Sequence, residues 1–115
     1  MTRRPPNEQG FTVDVQPWAE GTVLVPYGEL DLDTVADLEA ALTPALARPG
    51  TVIVVDCASL EFCDSTGLNV LLRAQARATA DGSRIDLARP RPLIRRMLEL
   101  TGATHALPIR DSVPG

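Results

Sequence analysis

TVIVVDCASLEFCDSTGLNVLL, residues 51–72, is the stretch whose reading decides the fold. Its first six residues are β-branched and apolar on both faces, the pattern of a central strand covered on two sides. Its last part carries Leu68, Leu71, Leu72 and Ala76 at helical spacing, so a helix is expected from about Thr66, with Arg73 and Arg77 pointing elsewhere. Between strand and helix, Asp64, Ser65, Thr66 and Gly67 set a carboxylate, two hydroxyls and a glycine in a row. Residues 57–67 are expected to form a loop at the strand's carboxyl end.

Working outward, residues 1–9 are polar and proline-rich and read as a flexible tail. FTVDV (11–15) alternates as a half-buried strand, and Glu20-Gly21 turns it into TVLVPY (22–27), giving a hairpin. Pro26 lacks an N–H, so the second strand is expected to weaken or end there. In GELDLDT (28–34), Gly28 permits a tight backbone, and Thr34 with Asp37 matches a capping box. The helix behind it places Val35, Leu38, Ala41, Leu42 and Ala45 on one face, and Pro44 should kink or shorten its last turn. Asp81-Gly82 closes the second helix. RIDLA (84–88) is a short strand. Pro90 and Pro92 open a last helix with apolar Leu93, Ile94, Met97 and Leu98, ended by Gly102, and HALPI (105–109) reads as an edge strand.

The order β-β-α-β-α-β-α-β alternates strictly after the hairpin. It implies right-handed crossovers and an α/β fold with a mixed, largely parallel sheet of four to five strands and packed helices, in one domain over residues 10–110 with a short tail at 111–115. Sites in such sheets lie at the carboxyl ends of strands. GELD and the 57–67 loop both fall there.

Composition narrows the function. The chain has 115 residues, 44% of them hydrophobic but only 3% aromatic, so Val, Leu, Ile and Ala must build the core. A formal charge of −4 lacks the basic excess of a nucleic-acid binder. No apolar run approaches the roughly 20 residues that span a bilayer, and MTRRPPNEQG has no apolar segment behind its arginines, so a cytoplasmic protein without a membrane partner is expected. Cys57 and Cys63 then read as reduced packing thiols, with no ligand set for a metal around them.

Ser65 is the residue to explain. CDSTG is not a G-x-S-x-G elbow, and His105 is the only imidazole, so a hydrolase is not indicated and no catalytic residue is assigned. Asp56 ends the central strand as a phospho-accepting aspartate does, but every basic residue is arginine, and the lysine that a receiver domain needs is missing. Asp56 reads as a loop-capping residue. Either Asp64 or Ser65 suits the N-cap of the following helix. The same place favours a phosphate, through unpaired N–H groups and the positive end of the helix dipole, and Gly67 leaves room for close approach.

Together, GELDLDT, VVDCASLEFCDSTGLNVLL and RPRPLIRRMLELTG resemble the STAS domain of bacterial anti-sigma factor antagonists over residues 10–110. The resemblance implies a non-enzymatic, cofactor-free regulator of transcription that works by partner switching. The unphosphorylated antagonist binds an anti-sigma factor that is a serine kinase and so releases the sigma factor. Phosphorylation switches binding off, and a PP2C-type phosphatase reverses it. The resemblance places the phosphoserine at Ser65, with Thr66 a minor candidate. It puts Asp31, Asp64 and Gly67 around the phosphosite, and Glu29, Asp31, Ser65, Asn69 and Arg73 at the partner surface. An alternative within the resemblance is a STAS subunit of another system, a lipid-transport ATPase accessory or a stressosome-like scaffold.

Overall fold

The computed structural model describes residues 2–3 and 10–114. In chain order the elements are β1 (Thr2–Arg3), β2 (Thr12–Trp18), β3 (Gly21–Leu30), α1 (Val35–Leu46), β4 (Val52–Asp56), β5 (Leu60–Cys63), α2 (Ser65–Ala80), β6 (Arg84–Ala88), α3 (Pro92–Thr101), a 3₁₀ turn at Ala103–His105, and β7 (Ile109–Arg110). The sheet runs β1-β2-β3-β4-β6-β7, with β5 pairing β3 off this path. β1–β2 and β2–β3 are antiparallel, and the remaining pairings are parallel. This is the expected mixed, largely parallel sheet, with β7 as its expected edge strand in shortened form, and with the short β1 and β5 added. The tail expected at 1–9 lies outside the described residues, except for Thr2–Arg3, which are in β1.

β3 organises the rest. Its first half pairs with β4 up to Leu24–Val55, and its second half pairs with β5 from Gly28–Leu60 onward. Contrary to expectation, the strand runs through Pro26. Pro26 falls in the gap between these two parallel partners, so no ladder bond is lost on that side. Gly28 takes φ +105 where the register shifts, a conformation that other residues strain to reach.

The buried residues of all three helices join one cluster with Val13, Leu24, Ile53, Val55, Ile85 and Leu87 of the sheet. The opposite face carries a smaller cluster of Val23, Val25, Val54 and Ala88, flanked by Trp18, Tyr27 and Val113. The central strands are therefore apolar on both faces, as TVIVVD requires. α1 continues only two residues beyond Pro44. α2 buries Gly67, Leu68, Val70, Leu71, Ala74, Gln75 and Ala78. Ala76, expected inside, is exposed, and Leu72 is half-buried. α3 packs through Ile94 and Leu98, while Leu93 lies 72% exposed. Of HALPI, His105 closes the 3₁₀ turn, Ala106–Pro108 are irregular, and the strand starts only at Ile109.

The polar Gln75 is inside because three main-chain groups need it. Its Nε2 donates to the Ile85 carbonyl at 2.9 Å and the Ala106 carbonyl at 2.8 Å, and its Oε1 accepts from Ile85 N–H at 2.8 Å. One side chain thus ties α2 to β6 and to the segment before β7. Gln75→Leu leaves the two Ile85 main-chain groups buried without partners, each at roughly 1–3 kcal/mol, and frees the part-buried Ala106 carbonyl. Urea denaturation should show a loss of about 3 kcal/mol, larger than for truncation of the exposed Ala76 neighbour Arg77.

Candidate functional site

GELD and DSTG meet through the main chain. In β3–β5 pairing, Glu29 is registered with Phe62 and Leu30 with Cys63. Asp64 N–H then donates to the Leu30 carbonyl at 3.1 Å. Asp31 and Ser65 each stand one residue beyond that bond, at the carboxyl ends of their strands.

Thr34 fixes the GELD side. It is the N-cap of α1 but makes no side-chain cap bond; its hydroxyl is turned into the loop instead. Thr34 Oγ1 donates to the Glu29 carbonyl at 2.8 Å and accepts from Asp31 N–H at 3.0 Å. The threonine half of the expected capping box is replaced by this fully buried loop tie. The Asp31 carboxylate accepts from Asp33 N–H at 3.0 Å, an Asx-type turn that aims the loop.

Asp64 fixes the other side. Of the two candidates for the cap of α2, Asp64 takes it: its Oδ1 accepts from Gly67 N–H at 3.0 Å. Ser65 is then the first helical residue and is exposed, with Thr66 half-buried behind it. Gly67 has a different role from the one expected. It is buried, and a Cβ there would stand 2.7 Å from Leu30 Cγ and 3.1 Å from Cys63 Sγ. The space it leaves is filled by the β3–β5 joint rather than being open to a phosphate.

Glu29, Asp31, Asp64 and Ser65 are thus gathered at one joint. Asn69 and Arg73 continue from it along the exposed side of α2, at four and eight residues from Ser65, so Arg73 lies about 12 Å up the helix. Arg73 lines a shallow groove against α1 with Glu39 and Thr43. Asp56 caps its loop as expected, accepting from Ala58 N–H at 3.1 Å, and is also held by Arg89 at 2.6 Å. Arg89 adopts φ 53, a left-handed backbone that is strained for a side chain of this size.

Sequence reading missed β5 and, with it, Phe62, which is 43% exposed three residues before Ser65. The alternation of Leu60 and Phe62 with Glu61 was the available signal, but four residues between turn residues and a helix are too few to stand out. Phe62, Cys63, Leu93, Ile94 and Met97 line an apolar cleft of about 240 Å³. A larger groove of about 540 Å³, between β2 and α1 at the other end of the sheet, involves none of these residues. Among the described residues no helix is long and apolar enough to cross a membrane, and no His, Cys, Asp and Glu cluster suits a metal.

Both cysteines are free and buried. Burial, with the nearby Cys63 and Asp56 charges, pushes the Cys57 thiol up to about 12, and burial beside Asp64 does the same to Cys63. Against an ordinary value of 9.0, native thiolate is reduced about a thousandfold near neutral pH. Iodoacetamide at about pH 8 should therefore alkylate the urea-unfolded chain readily and the native chain hardly at all. Because the folded state holds these protons more tightly, stability should fall as pH rises from 9 towards 12. The close seating of Gly67 makes a separate prediction. Gly67→Ala should lose about 2 kcal/mol in urea denaturation, because neither Leu30 nor the main chain can yield freely.

The family model described as "Mlab, STAS domain" matches residues 15–110. The anti-sigma F factor antagonist of Lysinibacillus sphaericus is 31% identical over 85 residues, 72% of this chain and 72% of that protein. The anti-sigma-F factor antagonist RsfB of Mycobacterium tuberculosis is 39% identical over 61 residues, 53% of this chain and 50% of that protein, so the match spans about half of that relative's length. Among solved structures, an anti-sigma factor antagonist from Mycobacterium paratuberculosis superposes with a TM-score of 0.81 at 24% identity, over 95% of this chain and 92% of that one. The antagonist SpoIIAA in its unphosphorylated form gives 0.72 at 22% identity, over 87% and 89% of the two chains. Its phosphorylated form gives 0.66 at 23%, over 87% and 92%. At these identities the structures establish the shared fold.

Proposed function

The chain belongs to the STAS domain family, and from that premise we propose that it is an anti-sigma factor antagonist switched by phosphorylation of Ser65. In this reading the unphosphorylated chain binds an anti-sigma serine kinase through Glu29, Asp31, Ser65, Asn69 and Arg73, and so releases a sigma factor. The kinase phosphorylates Ser65, and a PP2C-type phosphatase restores it. Ser65 is a substrate, and the protein itself performs no catalysis.

One observation carries this reading. The Asp64 side chain occupies the helix cap, so the Ser65 hydroxyl is not needed there and stands exposed at the first position of α2. A phosphoryl group adds about −1.5 to −2 charges at that point. The helix tolerates it, because the dipole is positive at this end. The surroundings do not attract it, because Glu29, Asp31 and Asp64 are all acidic. The new charge therefore acts on the partner surface and leaves the fold alone. Turning a complex from almost fully bound to almost fully free takes about 5.5 kcal/mol. A phosphate buried against a partner without a matching cation supplies several kcal/mol of that. The existence of SpoIIAA structures in both phosphorylation states is consistent with a switch that keeps the fold.

The test is capture of partners from native lysate on the immobilised chain, followed by addition of ATP. A captured serine kinase that phosphorylates the chain and is released by ATP is the expected result. Ser65→Ala should keep the kinase and take up no phosphate, while Thr66→Ala should be phosphorylated normally. Full phosphate incorporation into Ser65→Ala overturns the assignment. Recovery of transporter subunits in place of a kinase favours the lipid-transport alternative.

A further inference from the structure

α1 fills its two sides unequally. Leu38, Leu42 and Leu46 enter the core, but the side turned to β2 and the start of β3 carries only Ala40, Ala41, Pro44 and Ala45. These short side chains leave the groove of about 540 Å³ between the helix and Val15, Pro17 and Thr22 of the strands. Small-molecule sites commonly enclose about 300–1,000 Å³, so the groove is large enough to be one.

The groove is graded in polarity along its length. Val15, Ala40 and Ala41 make one end apolar, and the two polar side chains of the lining, Thr22 and Arg48, stand at the other. Strand register brings these two together. Thr22 pairs with Pro17 on β2 and with Ile53 on β4, while the Arg48 carbonyl accepts from Thr51, the residue before β4. Neither side chain is engaged. Thr22 is 8% exposed, yet among the described residues its hydroxyl makes no hydrogen bond. Arg48 forms no ion pair among the described residues, unlike Arg84, Arg89, Arg95 and Arg110. A buried hydroxyl without a partner is costly, and a ligand that supplies one relieves that cost.

We propose that this groove binds an anionic amphiphile, with its aliphatic chain along Val15, Ala41 and Ala45 and its carboxylate or phosphate head between Thr22 and Arg48. From Ala41 to Arg48 the helix advances seven residues, about 10 Å, which suits a medium-length chain. The guanidinium fork offers paired N–H donors that match either head. A neutral chain gains the apolar contacts alone and leaves Thr22 and Arg48 as they were. The ligand is a single free molecule and not a bilayer surface, because a chain of net charge −4 is repelled by an anionic membrane. The site stands on its own residues and rests neither on the switch at Ser65 nor on the partner.

The probes are decanoate and decyl phosphate, each kept below its micelle concentration, titrated into the full chain and followed by amide chemical shifts. Saturable shifts should centre on Thr22, Ala41 and Ala45 and leave Ser65 unmoved. Decanol should bind at least about tenfold more weakly. Arg48→Glu should weaken both anions about tenfold or more, and Thr22→Val about threefold. Arg77→Glu, in the separate groove between α1 and α2, should change nothing. Ala40→Trp fills the groove from an exposed helix position and should abolish binding while circular dichroism shows the fold intact. Binding of either anion supports the site, and the tighter of the two identifies the head. Absence of saturable shifts with both anions overturns the proposal, as do shifts that survive Ala40→Trp or an affinity that Arg48→Glu leaves unchanged. Equal binding of decanol also overturns it, because the polar end then selects nothing.

Discussion

The joint between β3 and β5 is the constraint on which the site depends. Leu30 accepts from Asp64 N–H, and its side chain packs where Gly67 has no Cβ. A single methyl group at Gly67 would stand at 2.7 Å from Leu30, closer than packed carbon atoms approach. The start of α2 is therefore set by the core, not by the loop that precedes it. Asp64 then completes the cap, and Ser65 has one direction left, toward solvent. Under the proposed switch such a rigid support matters, because the added charge is not dissipated by local rearrangement.

The electrostatic setting follows from the same joint. Glu29, Asp31 and Asp64 converge because their strands are hydrogen-bonded neighbours, although more than thirty residues separate GELD from DSTG. The Asp31 carboxylate is partly engaged by the Asp33 amide, so it shapes the loop as well as charging it. Sequence alone suggests acidic flanks; only the pairing of β3 with β5 makes them flank the same residue.

Two polar interactions brace the support from behind. Gln75 bonds main-chain groups of two segments at once, and Asp56 with Arg89 closes the carboxyl end of the central strands. The left-handed backbone at Arg89 redirects the chain away from β5 and into α3.

The α/β class, the three helices, the strands at 12–27, 52–56 and 84–88 and the place of Ser65 at a helix start were legible from hydrophobic period and local motifs, because these depend on neighbours within a few residues. The two-faced apolarity of TVIVVD could only be a central strand, and CDSTG before a helical stripe could only be a helix start. Four features were not legible. Gln75 is inside although polar, because the carbonyls that need it belong to distant segments. Pro26 sits within a strand, because the partner strands change there. Gly67 is a packing residue, because Leu30 arrives from elsewhere in the chain. β5 is a strand, because β3 is long enough to hold two partners. Local sequence thus determined the helices, the longer strands and the place of the Ser65 hydroxyl at a helix start; tertiary pairing alone decided which groups meet it, since hydrogen bonds and steric contacts between distant segments leave no periodic trace in the chain.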